Sequence, residues 1–416
     1  MSRRFNLVSE LPFEISSEIF LLCLPTPSSE FRAPTIFCQF SPPIPSPARD
    51  QAPLLFLNIC KAWSEITLSS PGLWTDIQNF NTSDLRGLER WLARAASRPL
   101  SLSTRSGGIA RLILRKVTTY QVHYLELYVE HQDSLRFLFE GEPESLPTLR
   151  SLTVGQSSSS SRPKFFLHPD DIIRLLHRAP NLTQLTVDNV PVMVLPVFTH
   201  PRQIAPPPPV SSNLEYLNLG KHRQFTTGLG AVQSSVLSCL TLPGLQSLNI
   251  SRLPTSTQIL FDFMRRSSPH LRQLCLGQGP LPLHTGEHLF RFPALATLVH
   301  LELHRDASFI YPLLTDLSVL PTLVTLVVVD FLHFTSMHSY PYAAVMRALS
   351  ARRDTCLQSF EMICRRPDVS DTKAIPDSIV SALRELAAES GMRIYIGPRA
   401  FNLIDLSGPR DDLGSV

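Results

Sequence analysis

Eight copies of a short leucine pattern recur along the chain and limit the folds that it can adopt. Each copy follows the pattern Leu-x-x-Leu/Phe-x-apolar. Successive copies start 33, 32, 31, 26, 27, 25 and 34 residues apart, at Leu149, Leu182, Leu214, Leu245, Leu271, Leu298, Leu323 and Leu357. Apolar residues at the fourth and sixth positions indicate a strand with one buried face. A strand that returns at this spacing predicts stacked units, in which each unit covers the apolar face of its neighbour.

Helical patterns between the copies complete the predicted repeat. They cover residues 170–178, 258–266, 343–352 and 379–389. One strand and one helix per unit is typical of a leucine-rich-repeat solenoid, which we predict over residues 141–400. Before it, we predict a transition helix and the first strands over residues 79–140. After it, residues 401–416 are predicted to form a flexible tail.

The alternation of side chains along each strand indicates a candidate binding surface. Because the fourth and sixth residues of a copy face the core, the third and fifth residues lie on the opposite, concave face of the sheet. On this face we predict the target-binding residues Gln184, Thr186, Tyr216, Asn218, Ser247, Asn249, Gln273, His300 and Glu302. Their side chains are mostly uncharged hydrogen-bonding groups, which favours a protein segment as the ligand. The alternative is a solvated sheet face that binds no ligand.

Two apolar segments near the N terminus predict a small helical unit. Pro12 suits the first position of a helix, because its missing N–H needs no partner there. Apolar residues then recur at helical spacing as far as Leu22. A second helix is predicted over residues 53–68, and Ser70-Pro71 is typical of the start of a further helical turn. A unit this small cannot bury all of its apolar residues alone, so it requires either the following domain or a partner.

Three motifs in this helical unit resemble the F-box of a large group of mushroom-type fungal proteins. They are Leu-Pro-x-Glu-Ile-x-x-x-Ile-Phe at residues 11–20, Cys-Lys-x-Trp at 60–63 and Ser-x-Pro-x-Leu-Trp at 69–74. The F-box is a short helical module that docks onto the adaptor Skp1. The resemblance implies the Skp1-binding residues Leu11, Pro12, Ile15, Ile19, Phe20, Leu55, Ile59, Cys60 and Trp63. It also implies that Trp74 anchors the module to the next part of the chain. The alternative is that these residues form the core of an ordinary helical cap.

Together these patterns predict a fold that is α+β overall. A small all-α F-box domain over residues 7–78 is followed by an irregular α/β leucine-rich-repeat solenoid. A proline-rich insert over residues 25–53 separates the two helices of the box, where the family usually has a shorter connection. Its composition predicts an extended loop.

Charge and cysteine content argue against several classes of partner. A net charge of +3 is too small for the concentrated basic surface of a nucleic-acid-binding protein. The most apolar stretch, over residues 320–334, is interrupted by proline, aspartate and histidine, so no membrane span is predicted. The seven cysteines include no C-x-x-C pair, which argues against a disulfide framework or a metal site. We therefore predict a reducing intracellular location, in the cytoplasm, the nucleus or both.

Motifs of catalysis are missing from the sequence. There is no H-E-x-x-H pattern, no phosphate-binding loop and no nucleophile elbow. We therefore predict a non-catalytic protein that uses no cofactor.

A docking module followed by a binding surface is the layout of a substrate receptor. The F-box resemblance implies the recognition subunit of a Skp1–cullin–F-box ubiquitin ligase. Its partners would be Skp1, a cullin reached through Skp1, and a protein target that the sequence does not name. Two alternatives stay open: a non-ligase scaffold that holds Skp1 without a cullin, and a repeat protein whose F-box is degenerate.

Overall fold

A computed structural model gives the fold of most of the chain. It describes residues 11–24, 52–78, 85–104, 120–129, 135–139, 146–156, 167, 169–188, 210–220, 236–252, 257–278, 283–304, 309–330, 342–364, 376–397, 402 and 404. The predicted proline-rich insert lies outside these residues apart from positions 52 and 53. The predicted tail also lies outside them, apart from positions 402 and 404.

The chain divides into two compact units. The first comprises Met1–Met193 and Gly220–Phe225, and the second comprises Val194–Leu219 and Thr226–Val416. The first unit therefore runs through positions 78 and 140, where the sequence predicted domain boundaries.

Five parallel strands form the sheet of the first unit. Each strand pairs with the next one along the chain, from β1 to β5. They are β1 (Asp76–Gln78), β2 (Leu100–Thr104), β3 (Val122–Val129), β4 (Ser151–Gln156) and β5 (Gln184–Asp188).

Helices precede and alternate with these strands. They are α1 (Phe13–Leu22), α2 (Phe56–Ile59), α3 (Lys61–Ser69), α4 (Leu85–Ala95), α5 (Arg136–Phe139) and α6 (Pro169–Arg178). A 3-10 turn, Pro71–Trp74, follows α3 and leads to β1 after a single residue. Pro12 directly precedes α1, where its carbonyl accepts the N–H of Ser16 at 3.1 Å.

Seven parallel strands form the main sheet of the second unit. They pair in the order β7 (Tyr216–Leu219), β9 (Ser247–Arg252), β10 (Gln273–Gln278), β11 (His300–His304), β12 (Thr325–Asp330), β13 (Ser359–Cys364) and β14 (Arg393–Gly397). The short strands β6 (Val210–Ser211) and β8 (Leu240–Thr241) form a separate parallel pair.

Helices also connect the strands of the second unit. They are α7 (Thr257–Ser267), α8 (Leu283–Phe290), α9 (Ile310–Leu314), α10 (Tyr342–Arg352) and α11 (Asp377–Ser390). Gly391 ends α11 in the left-handed conformation with φ +67°, which glycine adopts without strain. Within the described residues, no helix is both long and apolar enough to cross a membrane.

The leucine pattern supplies the core of both sheets. The first, fourth and sixth positions of all eight copies are buried, each with at most 4% of its surface exposed. Strands lie at all eight predicted positions. The alternation predicted from the sequence is thus confirmed on the core-facing side of these strands.

A repeated pair of hydrogen bonds sets the register between neighbouring copies. The carbonyl oxygen of the second residue in one copy accepts N–H groups from the second and third residues of the next. In the second unit these N···O distances are 2.8–3.0 Å, at the carbonyls of Glu215, Gln246, Arg272, Val299 and Val324. Equivalent positions of successive strands therefore lie side by side.

The predicted fold class, α+β with a separate all-α domain at the N terminus, is wrong. Helices and parallel strands alternate within each unit, so the described chain is α/β. The N-terminal helices share one compact unit with β1–β5.

The turn at Pro71–Trp74 explains why these helices do not form a domain of their own. Trp74 is fully buried, and its ring contacts Trp91 of α4 edge-on at 4.9 Å between centroids. One residue beyond the turn, the carbonyl of Thr75 accepts the N–H of Ser101 of β2 at 2.9 Å. The hydrophobic contact and the strand pairing together attach the helices to the sheet.

A buried arginine holds together the segment that follows α9. The Arg352 guanidinium, at the end of α10, donates to the carbonyls of Leu314 (2.8 Å), Asp316 (2.8 Å), Leu320 (3.2 Å) and Val319. The carbonyls of Asp316 and Leu320 also accept backbone N–H groups, from Val319 and Leu323, so the guanidinium matters most for the carbonyls of Leu314 and Val319. Arg352 thus takes the place of regular backbone hydrogen bonding.

Replacement of Arg352 by methionine tests this role. Arg352→Met keeps the apolar stem but removes the donors to the buried carbonyls of Leu314 and Val319, so we expect the free energy of unfolding to fall by about 3 kcal/mol. Arg353→Met is the matched control, because Arg353 is exposed and pairs only with Asp354 at the surface, and it should change stability by less than about 1 kcal/mol. Urea denaturation followed by circular dichroism measures both, and equal effects would refute the role.

Candidate functional site

Three aromatic rings join the N-terminal helices. Phe20 of α1 stacks on Phe56 of α2 at 4.5 Å between centroids, and it contacts Trp63 of α3 at 4.7 Å. Phe56 and Trp63 meet edge-on at 5.7 Å. Pairs of this geometry contribute about 0.5–1.5 kcal/mol beyond the burial of their area. The rings therefore form the local core that keeps α1, α2 and α3 together.

Apolar side chains remain exposed on the other side of the same helices. Ile15, Ile19 and Leu22 are spaced four and three residues apart, so they share one face of α1, opposite Phe20. Leu55 and Ile59 are four residues apart in the second helical segment and are exposed as well. We call these five residues the apolar surface.

The apolar surface contrasts with the rest of the described chain. Nine large apolar side chains are exposed among the described residues, and seven of them lie between Phe13 and Leu68. The other two, Val299 and Leu317, belong to the second unit. Exposed apolar residues clustered on adjacent helices are typical of a surface that a partner covers.

The residues that the resemblance implied for Skp1 binding do not all lie on the apolar surface. Ile15, Ile19, Leu55 and Ile59 belong to it, whereas Phe20 is only 1% exposed and lies in the aromatic core. Of the rest, Pro12 is exposed, and Leu11, Cys60 and Trp63 are partly exposed. We therefore correct the prediction that Phe20 contacts a partner. Phe20 instead packs between the helices that carry the apolar surface.

The predicted binding residues of the strands lie in rows, as their register requires. Across β9, β10 and β11, Ser247 lies beside Gln273, which lies beside His300. In the next row of the same three strands, Asn249 lies beside Cys275, which lies beside Glu302. In the first unit, Gln184 and Thr186 pair with Ser151 and Thr153.

This strand face is not open along its whole length. Gln184 is exposed, and Thr186, Tyr216, Asn218, Gln273 and His300 are partly exposed. Ser247, Asn249 and Glu302 are buried, with 7%, 3% and 1% of their surface exposed. We therefore correct the prediction that these three side chains bind a target, because a protein ligand cannot reach them in this conformation.

A buried polar group occupies the middle of this face in the second unit. It consists of Cys275, His300, Glu302 and His304, which we call the strand cluster. His304 Nε2 lies 3.0 Å from Glu302 Oε1, within hydrogen-bonding distance. His300 Nε2 lies 4.0 Å from Glu302 Oε2, which is too long for a hydrogen bond. Neither His300 Nε2 nor Glu302 Oε2 has a hydrogen-bond partner within the described part of the chain.

The two histidines keep the Glu302 carboxyl ionised although it is buried. Burial by itself raises the pKa of Glu302, but the interactions with His300 and with His304 outweigh it and lower the pKa to about 2. The strand cluster therefore contains a buried carboxylate at neutral pH.

Cys275 and His304 were not among the predicted site residues. Cys275 lies within a leucine copy and His304 directly follows one, but the odd cysteine count without C-x-x-C pairs suggested no site. The signal that would have found them is the register: Cys275 is the fifth residue of its copy, as Glu302 is of the next, and His304 follows Glu302 on the same face.

Comparison with known proteins adds no family to this description. No protein-family model matches the chain, and no curated protein matches it. Inference about function therefore depends on the motifs and on the geometry of the two candidate sites.

Adjacent residues of α1 test the distinction between the aromatic core and the apolar surface. Phe20→Ala removes a buried ring and should lower the free energy of unfolding by about 3–5 kcal/mol. Ile19→Ala truncates an exposed side chain and should change it by less than about 1 kcal/mol. The fluorescence of the tryptophans, all of which lie in the first unit, reports unfolding in urea. Comparable losses for both variants would contradict the assignment of faces.

The low pKa of Glu302 predicts a loss of stability in acid. The carboxyl pKa is about 4.5 in the unfolded chain and about 2 in the folded one, so ionised Glu302 stabilises the fold above pH 4.5. This stabilisation, about 3 kcal/mol, should disappear as the pH falls from about 4.5 to 2. Glu302→Gln lacks the carboxyl, so its free energy of unfolding should depend less on pH in this window. Parallel curves for the wild type and the variant, measured by urea denaturation, would refute the interpretation.

Proposed function

We propose that this chain is the substrate-recognition subunit of a Skp1–cullin–F-box ubiquitin ligase. In this proposal the N-terminal helices dock onto Skp1, Skp1 connects the chain to a cullin, and the strand face binds a protein target. The observation that carries the proposal is the apolar surface of Ile15, Ile19, Leu22, Leu55 and Ile59, which remains exposed beside a well-packed core.

The energetics favour a partner for this surface. Full burial of an isoleucine or leucine side chain contributes about 1.5–3 kcal/mol. Five such side chains, each already partly covered, provide several kcal/mol towards association. Ion pairs on these helices contribute little to association. Lys61 and Glu65 of α3 lie 3.8 Å apart and are highly exposed, and exposed pairs of this kind are worth less than about 1 kcal/mol.

The sequence motifs support Skp1 as the partner. The Leu-Pro turn at 11–12, the Cys-Lys-x-Trp motif at 60–63 and the Leu-Trp pair at 73–74 resemble those of the F-box. In the family, the first helix and the Cys/Trp helix bind Skp1. Here the first helix carries Ile15 and Ile19 of the apolar surface, and Ile59 ends the short helix directly before Cys60, which is why Skp1 is the partner that we propose.

The target would bind through those strand residues that a ligand can reach. In the first unit these are Gln184 and Thr186, and in the second unit Tyr216, Asn218, Gln273 and His300. Asn218 Nδ2 donates to the Tyr216 hydroxyl at 3.4 Å, so these two side chains orient each other. Neutral side chains of this kind favour recognition by hydrogen bonds over recognition by charge.

In this proposal the chain contributes proximity rather than chemistry. A target held by the strand face, on a chain that is itself held by Skp1, meets the ubiquitin-charged enzyme at a raised effective concentration. The transfer reaction belongs to the other subunits.

Binding of purified Skp1 to the full chain tests the proposal. Ile15→Asp/Ile19→Asp places two charges in the centre of the apolar surface, and we expect it to weaken binding by at least about 2 kcal/mol, roughly 30-fold. Leu317→Asp is the matched control, because Leu317 is 52% exposed but lies in the second unit, and it should bind Skp1 as the wild type does. Circular dichroism verifies that each variant is folded.

The outcomes of this experiment separate the alternative functions of the chain. Equal binding by the wild type and by the double aspartate variant would refute docking through the apolar surface. Where Skp1 binds as expected, a cullin added to the complex should co-purify with it. Capture of Skp1 without a cullin would instead indicate a scaffold that does not take part in ligation.

A further inference from the structure

The strand cluster brings three kinds of metal ligand together in one buried place. The Cys275 thiol, a carboxylate oxygen of Glu302 and an imidazole nitrogen of His304 all lie within 4.8 Å of one another. All three residues are buried, the most accessible being His304 at 7%. Cys275 takes part in no disulfide.

The sheet, rather than a flexible loop, positions these ligands. Cys275 of β10 and Glu302 of β11 are register partners in a parallel pair. His304 lies two residues after Glu302 on the same strand, and the period of a strand therefore directs it to the same face. Ligands that are held by paired backbone need little rearrangement to bind an ion.

The electrostatics of the cluster favour a cation. Glu302 is a buried carboxyl group whose Oε1 lies 3.0 Å from His304 Nε2 and whose Oε2 has no hydrogen-bond partner within the described residues. The register neighbours on either side of this row, Asn249 and Val327, are uncharged. The buried Oε2 can therefore accept a further ligand, and a divalent cation bound by a carboxylate and a thiolate would be neutralised by them.

We propose that Cys275, Glu302 and His304 bind a zinc ion that links β10 to β11. This is a site of a different kind from the docking surface, and it does not depend on the proposed ligase function.

The ligand set selects zinc over the other abundant divalent ions. Thiolate and imidazole are poor ligands for magnesium and calcium, which prefer oxygen, whereas zinc accepts sulfur, nitrogen and oxygen together. Zinc bond lengths of about 2.0–2.3 Å place tetrahedral ligands roughly 3.3–3.5 Å apart. The pair formed by Glu302 and His304, now at 3.0 Å, needs to open by a few tenths of an ångström, and Cys275, whose sulfur lies within 4.8 Å of both, needs to move towards them by about 1 Å.

The fourth position of the zinc ion falls to His300 or to a water molecule. His300 Nε2 lies 4.0 Å from Glu302 Oε2 and is itself buried without a hydrogen-bond partner in the described part of the chain. Binding converts the Cys275 thiol to a thiolate and releases its proton to solvent, and no oxidant or reductant takes part.

Metal titration of the untagged full chain tests the proposal. After removal of bound metal with a chelator, the wild-type chain should take up about one zinc ion per molecule. With cobalt in place of zinc, it should give the ligand-to-metal band of a thiolate and the visible bands of a tetrahedral ion. Cys275→Ser should abolish the thiolate band, and His304→Gln should weaken zinc binding at least about tenfold.

Matched variants separate this site from incidental binding. Cys239→Ser replaces another buried cysteine of the same unit, and His288→Gln replaces an exposed histidine. Both should retain the stoichiometry and the cobalt spectrum of the wild type. A wild-type chain that takes up no zinc, or variants at Cys275 and His304 that bind it as well as the controls do, would overturn the proposal.

A second measurement avoids dependence on the folding of the variants. Alkylation of the wild-type chain in moderate urea, mapped by mass spectrometry, should modify Cys275 more slowly with zinc than without it, while Cys239 serves as the internal reference. Equal rates for Cys275 in the two conditions would also overturn the proposal.

Discussion

The register of the parallel strands is the constraint on which the rest of the second unit depends. One carbonyl of each copy, at its second residue, accepts two N–H groups from the next copy. Since this arrangement recurs from Glu215 to Val324, the third and fifth side chains of neighbouring copies cannot slip past each other. A shift of one residue would turn the core leucines to the outside. The same hydrogen bonds therefore maintain the core and bring Cys275 next to Glu302.

The helices before β1 combine two opposite properties in few residues. Phe20, Phe56 and Trp63 pack closely on one another, while Ile15 and Ile59 remain exposed on the same elements. If nothing covered these isoleucines, polar residues at their positions would make the protein more soluble. The packed interior shows that these exposed apolar residues do not belong to a poorly folded segment.

Sequence patterns predicted the strands well because the signal is local and repeated. The first, fourth and sixth residues of all eight copies are apolar, and stacked parallel strands bury all of them. The separate all-α domain was predicted wrongly, because nothing in the motif at 69–74 reveals that Trp74 packs on Trp91 and that β1 begins two residues later.

The sites were predictable only in part, because burial on the strand face is a tertiary property. Alternation indicates which side a residue faces but not what covers that side, so buried Asn249 and exposed Gln184 have equivalent patterns. Phe20 was likewise assigned to a partner, although the motif alone cannot separate a contact residue from the ring beneath it. The strand cluster could not be predicted from the sequence, because it depends on how close two copies lie, and the strand pairing sets that distance.

Trp74 gives the N-terminal helices a fixed direction. Its indole N–H donates to the carbonyl of Thr67 at 2.9 Å, its ring meets Trp91, and the guanidinium of Arg94 lies 4.5 Å above it. The Ser17 and Ser70 hydroxyls, 2.9 Å apart, tie α1 to the same corner. Within the described residues, these contacts fix α1 relative to the first strands. A ligand bound to those strands would therefore keep one orientation relative to a protein bound to α1.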